Sequence, residues 1–242
     1  MYPNLLGEFV GTMVLCACGN AVVANLVLKD TKGNGAGWVH VNWGWSFGLM
    51  IAIMAGWALG TDQADFNPAV TLCKTLAGAY TIPHALATMV AEVLGGIAGG
   101  CVAYLTYLNH WAATEDPGLK LAVFATGPAR RDFKANFITE VICTIVLICG
   151  IMFIVSKPVE MPKYLIPFMI GGLLYVLGAG FGGPTGYGAN PARDMGPRIA
   201  HAILPIPGKG DNDWKYGLVV ATCGPLLGGV ISFALCRAAG LI

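Results

Sequence analysis

The stretch Gly188-Ala189-Asn190-Pro191-Ala192-Arg193-Asp194 decides the fold, together with a related stretch in the first half of the chain, Phe66-Asn67-Pro68-Ala69-Val70-Thr71. Both contain the triplet Asn-Pro-Ala, and the two asparagines are 123 residues apart. Asparagine is a strong helix N-cap, and proline fits the first helical turn, where its missing N–H is not needed. We therefore predict two short helices, over 67–78 and 190–203, that cannot cross a bilayer.

The rest of the chain is strongly apolar. Of its 242 residues, 56% are hydrophobic and 11% are charged, whereas a soluble domain has about 25% charged residues. A spanning helix needs about 20 apolar residues, and six segments qualify: 5–28, 40–60, 83–108, 134–156, 163–182 and 215–238. The predicted fold class is an all-α membrane protein with six transmembrane helices and two half-helices. The net charge of +1 does not indicate a nucleic-acid partner.

The two halves of the chain are related by an internal repeat. Four residues of 8–15 are identical to their counterparts in 140–147, at an offset of 132. Leu94-Gly95-Gly96 returns as Leu227-Gly228-Gly229. Three spans per half is an odd number, so the second half must be inverted in the membrane. We therefore expect a single channel domain, 1–242, with halves at about 1–115 and 130–242 and with the half-helix N-termini meeting near the bilayer centre.

Taken together, these motifs resemble the major intrinsic protein family, the aquaporins and glycerol facilitators, over about residues 4–240. The resemblance implies the aquaporin fold, a homotetramer with one pore per monomer, and a multi-pass protein of the plasma membrane. Asn67 and Asn190, with Pro68, Ala69, Pro191 and Ala192, match the pair of pore motifs. Their side-chain amides would donate hydrogen bonds to the solute, and the two positive helix ends would disfavour cations.

Arg193 is predicted to be the main charged residue of the pore. An ionisable residue this far inside a membrane segment is costly and usually lines a bundle interior or a water-filled path. By resemblance it is the arginine of the narrow selectivity filter, where its fixed donors hold a hydroxyl group and its charge repels cations. The alternative is an arginine that extends to the lipid headgroups.

Three further positions complete the filter by resemblance. Gly178 stands where water-selective members have histidine, Tyr187 where many glycerol facilitators have phenylalanine, and Trp45 where they have tryptophan. The spacing from Trp45 to the first Asn-Pro-Ala is about two residues longer than usual, so Trp43 or Phe47 could take its place. Two aromatic side chains opposite an arginine would suit an amphipathic polyol.

Several buried carboxylates are expected from the same comparison. Glu8 and Glu140 occupy equivalent repeat positions, and the resemblance implies that each accepts hydrogen bonds from loop N–H groups as a scaffold residue. Asp194 is typical of the glycerol branch. Glu92 and Asp65 depart from the family pattern, where glutamine and histidine are expected.

The resemblance predicts a passive channel for glycerol, water and other small uncharged solutes that excludes ions and protons. A water-selective aquaporin and a secondary transporter are the alternatives, and an enzyme is the least favoured because the spans contain no zinc pair or Ser/His couple. The eight cysteines lie in apolar stretches without a CxxC pair, and the four histidines are scattered singly. We therefore expect no metal site, disulfide framework or cofactor.

Overall fold

The computed structural model describes residues 2–242 and contains only helical elements in that range. The α-helices are α1 (Leu5–Val27), α2 (Trp38–Ala58), α3 (Pro68–Leu76), α4 (Ile82–Thr106), α5 (Pro117–Phe124), α6 (Phe133–Ile154), α7 (Ile166–Phe181), α8 (Pro191–Ile203), α9 (Trp214–Val219) and α10 (Cys223–Ala238). Two 3₁₀ turns, Lys157–Val159 and Lys163–Leu165, precede α7.

The predicted all-α membrane fold is confirmed. Five segments are long and apolar enough to cross a membrane: Leu5–Val27, Ile82–Thr106, Phe133–Ile154, Lys163–Phe181 and Trp214–Ala238. The sixth predicted span, α2, has 21 residues, which corresponds to a length of about 30 Å. Its several polar and aromatic residues make it less apolar than the others. The half-helices α3 and α8 begin directly after Asn67 and Asn190, as their capping signals predict.

Two elements differ from the sequence prediction. Helix α5 lies inside the segment 109–132, where the sequence analysis predicts neither a span nor a half-helix. Asp116 caps it by accepting a hydrogen bond from the Gly118 N–H, and Pro117 occupies its first turn. The last span is interrupted between α9 and α10. Pro225 has no N–H to donate to the carbonyl of Ala221, so a continuous helix would lose a hydrogen bond there.

The half-helices are exchanged between the two repeats. Helix α8 of the second half packs against α4 of the first, and α3 of the first half packs against α10 of the second. Glycine permits both contacts: a Cβ on Gly96 would lie 2.5 Å from the Ala192 carbonyl oxygen, and one on Gly229 would lie 2.6 Å from that of Ala69. The repeated Leu-Gly-Gly triplets thus hold each half-helix against the opposite half.

This exchange predicts a large difference between two glycine variants. Gly229→Ala forces a methyl group against the backbone of α3, and we expect a loss of roughly 1–3 kcal/mol in stability, typical of overpacking. Gly172→Ala is the matched control, because nothing lies within 4 Å of its added Cβ, and alanine favours helix. Thermal unfolding in detergent, followed by helical circular dichroism, compares them; equal midpoints would contradict the proposed packing.

Candidate solute pore

Each asparagine of the triplets donates a hydrogen bond to the opposite half of the molecule. The Asn67 amide nitrogen donates to the Ala189 carbonyl at 2.8 Å, and the Asn190 amide nitrogen donates to the Phe66 carbonyl at 2.8 Å. Their side-chain oxygens cap their own helices by accepting from Ala69 N–H and Ala192 N–H, each at 2.9 Å. An amide NH₂ group has two donors, so one donor on each asparagine remains for a ligand.

The segments before the asparagines have the same unusual backbone. The residue one place before each asparagine, and the residue three places before, have positive φ: Ala64 (47°), Phe66 (49°), Tyr187 (42°) and Ala189 (44°). This conformation is unfavourable for residues with a Cβ. Its recurrence at equivalent positions in both halves shows that the surrounding structure imposes it.

Two buried carboxylates stabilise these segments. Glu8 accepts from the backbone N–H of Asp65 at 3.1 Å and of Phe66 at 2.8 Å. Glu140 accepts from Gly188 N–H at 3.1 Å and from Ala189 N–H at 2.7 Å. Both glutamates are at most 1% exposed. The loop N–H groups that would otherwise lack partners at membrane depth are therefore satisfied.

A cavity of about 580 Å³ runs along the interface of the two halves. Both Asn67 and Asn190 line it. Successive turns of α2 also line it from Trp45 to Trp57, which corresponds to a length of about 18 Å along the helix. Trp45, Tyr187 and Arg193 line one end, which we call the constriction. The other end, which we call the Asp65 mouth, is lined by Asp62, Gln63, Asp65, Lys74 and Lys163.

Arg193 and Trp45 are in direct contact at the constriction. The guanidinium carbon lies 3.9 Å from the centroid of the Trp45 ring, a distance typical of a cation–π contact. Arg193 is 9% exposed and Trp45 is 2% exposed. Within residues 2–242 the guanidinium donates no hydrogen bond to another side chain or carbonyl, so its donors are available to a solute.

Among the α2 aromatic residues, only Trp45 is at the constriction. Trp43 and Phe47 are 48% and 50% exposed and stack on one another, with ring centroids 5.1 Å apart. They occupy the outer surface of the helix and do not line the cavity.

Gly178 does not line the cavity but lies behind Tyr187. A Cβ on Gly178 would be 2.7 Å from Cζ of the Tyr187 ring. The absence of a side chain at this position therefore leaves the space that the tyrosine ring fills.

Asp194 has a structural environment that sequence reasoning missed. Its oxygens accept from Arg198 Nε at 2.8 Å and from both the N–H and the hydroxyl of Thr126, at 2.8 and 2.6 Å. Arg198 also donates to the Asn212 carbonyl at 2.6 Å, and both charged side chains are fully buried. The pair therefore connects α8, the half-helix that contains Arg193, to the loops around Thr126 and Asn212. Its sequence signal was the i,i+4 spacing of opposite charges.

The Asp65 mouth contains a network of carboxylates. Asp65 pairs with Lys74 and accepts from the Tyr80 hydroxyl at 2.8 Å. Burial and the Asp65 charge raise the pKa of Tyr80 well above its usual range, so this hydroxyl remains a donor. The Thr71 hydroxyl lies 2.9 Å from Asp65 and 2.8 Å from Glu92. A hydroxyl has a single proton, so Thr71 can donate to only one of these two carboxyl groups at a time.

Among residues 2–242 there is no group of three or more His, Cys, Asp or Glu side chains arranged to hold a metal ion. The eight cysteines are free thiols.

Comparison with known proteins identifies the family. The model of the major intrinsic protein family matches residues 1–235. A probable glycerol uptake facilitator protein of Thermotoga maritima is 45% identical over 230 residues, covering 95% of this chain and 96% of that protein. The glycerol uptake facilitator protein of Bacillus subtilis is 43% identical over 223 residues, covering 92% of this chain and 80% of that protein.

Comparison of structures gives the same fold. The aquaglyceroporin from Plasmodium falciparum superposes with a TM-score of 0.82 over 99% of both chains, at 22% identity. The fold, the paired triplets and the relatives lead to one conclusion: the chain belongs to the major intrinsic protein family.

Proposed function

We propose that the protein is a passive channel for glycerol, water and other small uncharged solutes, and that it excludes ions and protons. The observation that carries this proposal is the continuous cavity between the two halves. Two helix N-termini with free amide donors meet at its middle, and a buried arginine lies at one end. The relatives named above are facilitators, which supports a channel and gives no support to an enzyme.

The constriction favours glycerol over water alone. Trp45 and Tyr187 supply apolar ring surface for a carbon backbone, and Arg193 supplies donors for hydroxyl groups. Gly178 leaves no side chain between α7 and the tyrosine ring, so the ring can lie back towards that helix. We propose that these four residues select the solute. Asn67 and Asn190, at the centre of the cavity, maintain the electrostatic barrier to cations.

The proposed function is tested by stopped-flow light scattering on proteoliposomes. We expect fluxes of glycerol and of water above those of empty liposomes, and a much smaller flux of a longer polyol. A raised water flux with glycerol flux equal to that of empty liposomes would contradict the proposal and indicate a water-selective channel.

We also propose that the channel is a homotetramer in the plasma membrane, with one pore in each monomer. The family resemblance supports this assembly. Native mass spectrometry of the detergent-solubilised protein should give four chains per particle, and particles of a single chain would contradict the tetramer.

A further inference from the structure

The tyrosine of the constriction lies in a groove between α2 and α7. Gly178 of α7 and Gly182, which directly follows the last residue of α7, form its floor. A Cβ on Gly178 would lie 2.7 Å from Tyr187 Cζ, and one on Gly182 would lie 2.4 Å from Tyr187 Cδ1. Trp38 of α2 contacts the ring edge-on, with centroids 5.8 Å apart, and donates from its indole nitrogen to the Gly178 carbonyl at 2.9 Å. Tyr187 lines the cavity, and its ring carbon Cζ, which carries the hydroxyl, lies against Gly178 in the groove.

Two polar groups meet in this groove without partners. The Tyr187 hydroxyl is buried and has no hydrogen-bond partner, and neither the oxygen nor the nitrogen of the Asn42 amide has one. Asn42 lies one turn from Trp38 on α2 and is 1% exposed. Buried polar groups are rarely left unpaired. The groove therefore contains an unpaired phenol donor and an unpaired amide acceptor, both close to Gly178.

The distances permit them to pair. The position of a Cβ on Gly178 is 2.4 Å from Asn42 Oδ1 and 2.7 Å from Tyr187 Cζ. The oxygen and the ring carbon are therefore separated by no more than the sum of these two lengths, and the phenol oxygen is one bond from that carbon. Pairing requires the Asn42 side chain to rotate until its amide oxygen lies within hydrogen-bond distance of the phenol O–H.

We propose that Asn42 is a specificity-determining residue that acts through Tyr187. Its side-chain amide accepts a hydrogen bond from the Tyr187 hydroxyl in the α2–α7 groove and so fixes the aromatic wall of the constriction. Asn42 is a positioning residue, because it does not line the cavity. This inference rests on the proposed function, since it assigns a role within the same filter.

The hydrogen bond matters because the two glycines leave space into which the Tyr187 ring could move. A ring without its hydrogen bond is held only by packing against Trp38 and the α7 backbone. It can then move within the groove, and the constriction passes a wider range of solutes. A phenylalanine at this position would have the same freedom, which makes the hydroxyl of Tyr187 the feature to test.

The experiment uses two variants of Asn42 that are isosteric with each other and one variant of Tyr187 that lacks a single oxygen. Asn42→Val removes the acceptor, Asn42→Thr has the shape of the valine variant but carries a hydroxyl oxygen that can accept, and Tyr187→Phe removes the donor. The readout is the flux ratio of a five-carbon polyol to glycerol in proteoliposomes. Because both fluxes come from one preparation, the ratio does not depend on the amount of folded protein. The urea-to-water flux ratio gives the same comparison without glycerol.

We expect Asn42→Val and Tyr187→Phe each to raise the polyol-to-glycerol ratio by roughly threefold to tenfold, the size expected when one ordinary buried hydrogen bond is lost. The double variant should be no different from either single variant, and Asn42→Thr should remain close to the unmodified protein. Multiplying effects in the double variant, or equal ratios for Asn42→Thr and Asn42→Val, would overturn the role of Asn42.

Failure of this proposal can be distinguished both from failure of the proposed function and from a variant that does not fold. If the unmodified protein passes no glycerol, the proposed function fails, whereas the urea-to-water ratios still decide the coupling of Asn42 to Tyr187. If Asn42→Val does not fold, Tyr187→Phe alone is decisive, since an unchanged solute ratio in that variant would contradict the proposal.

Discussion

An Arg193→Val variant is expected to conduct monovalent cations or protons that the unmodified protein excludes. A unit charge about 4 Å from a passing cation contributes roughly 4 kcal/mol at an effective dielectric constant of about 20, which corresponds to roughly a thousandfold in rate. The two half-helix N-termini remain and continue to oppose cations, so we expect a smaller rise, of about tenfold or more. Dissipation of an imposed proton or potassium gradient in proteoliposomes measures it.

Arg193→Lys separates the charge of this residue from its shape. Lysine keeps the positive charge but lacks the planar fork of donors, and it stacks less well on the Trp45 ring. We expect cation exclusion to persist while glycerol flux falls relative to water flux. Unchanged cation exclusion in Arg193→Val would rule out the electrostatic role proposed for this arginine.

The largest effect on stability is expected from the buried pair behind the constriction. Asp194→Asn keeps the shape of the side chain but leaves the Arg198 charge without a counter-charge, at a position where both side chains are fully buried. Removing one partner of a buried ion pair typically costs about 3–5 kcal/mol. Unfolding in detergent, followed by circular dichroism, should show a clear fall in the midpoint.

The control for this variant is an exposed ion pair of the same chain. Asp62 and Lys163 lie 3.6 Å apart with side chains 87% and 70% exposed, and such surface pairs contribute roughly 0–1 kcal/mol. Asp62→Asn should therefore unfold close to the unmodified protein. If Asp194→Asn and Asp62→Asn were equally stable, the pair would not be holding α8 in place.

Local signals in the sequence were enough to predict the half-helices and the repeat. Asn67 and Asn190 are followed by proline, a combination that starts a helix in either half. The equivalent positions of Glu8 and Glu140 indicated a shared role. The structure then shows both carboxylates bound to the backbone of the irregular segments. The half-helices depend on neighbouring residues, and the shared role of the glutamates depends on the internal repeat. Both can be read from a single sequence.

Other features were missed because they depend on contacts between distant segments. The groove around Tyr187 is formed by α2 and α7, and no local pattern connects Asn42 with Gly182. Arg198 bonds to loops that lie well before and after it in the chain. Helix α5 was missed for a different reason: Asp116-Pro117 is a regular helix start, but it stands in a segment that is too polar to be a span.

We propose that neutral solute crosses the pore passively while ions and protons do not. The most direct test places the unmodified protein in liposomes with an imposed proton gradient and follows labelled glycerol and internal pH together. We expect glycerol to reach equal concentrations on both sides while the gradient decays no faster than in empty liposomes. Accumulation of glycerol above the external concentration, or accelerated collapse of the gradient, would contradict a passive channel for neutral solutes.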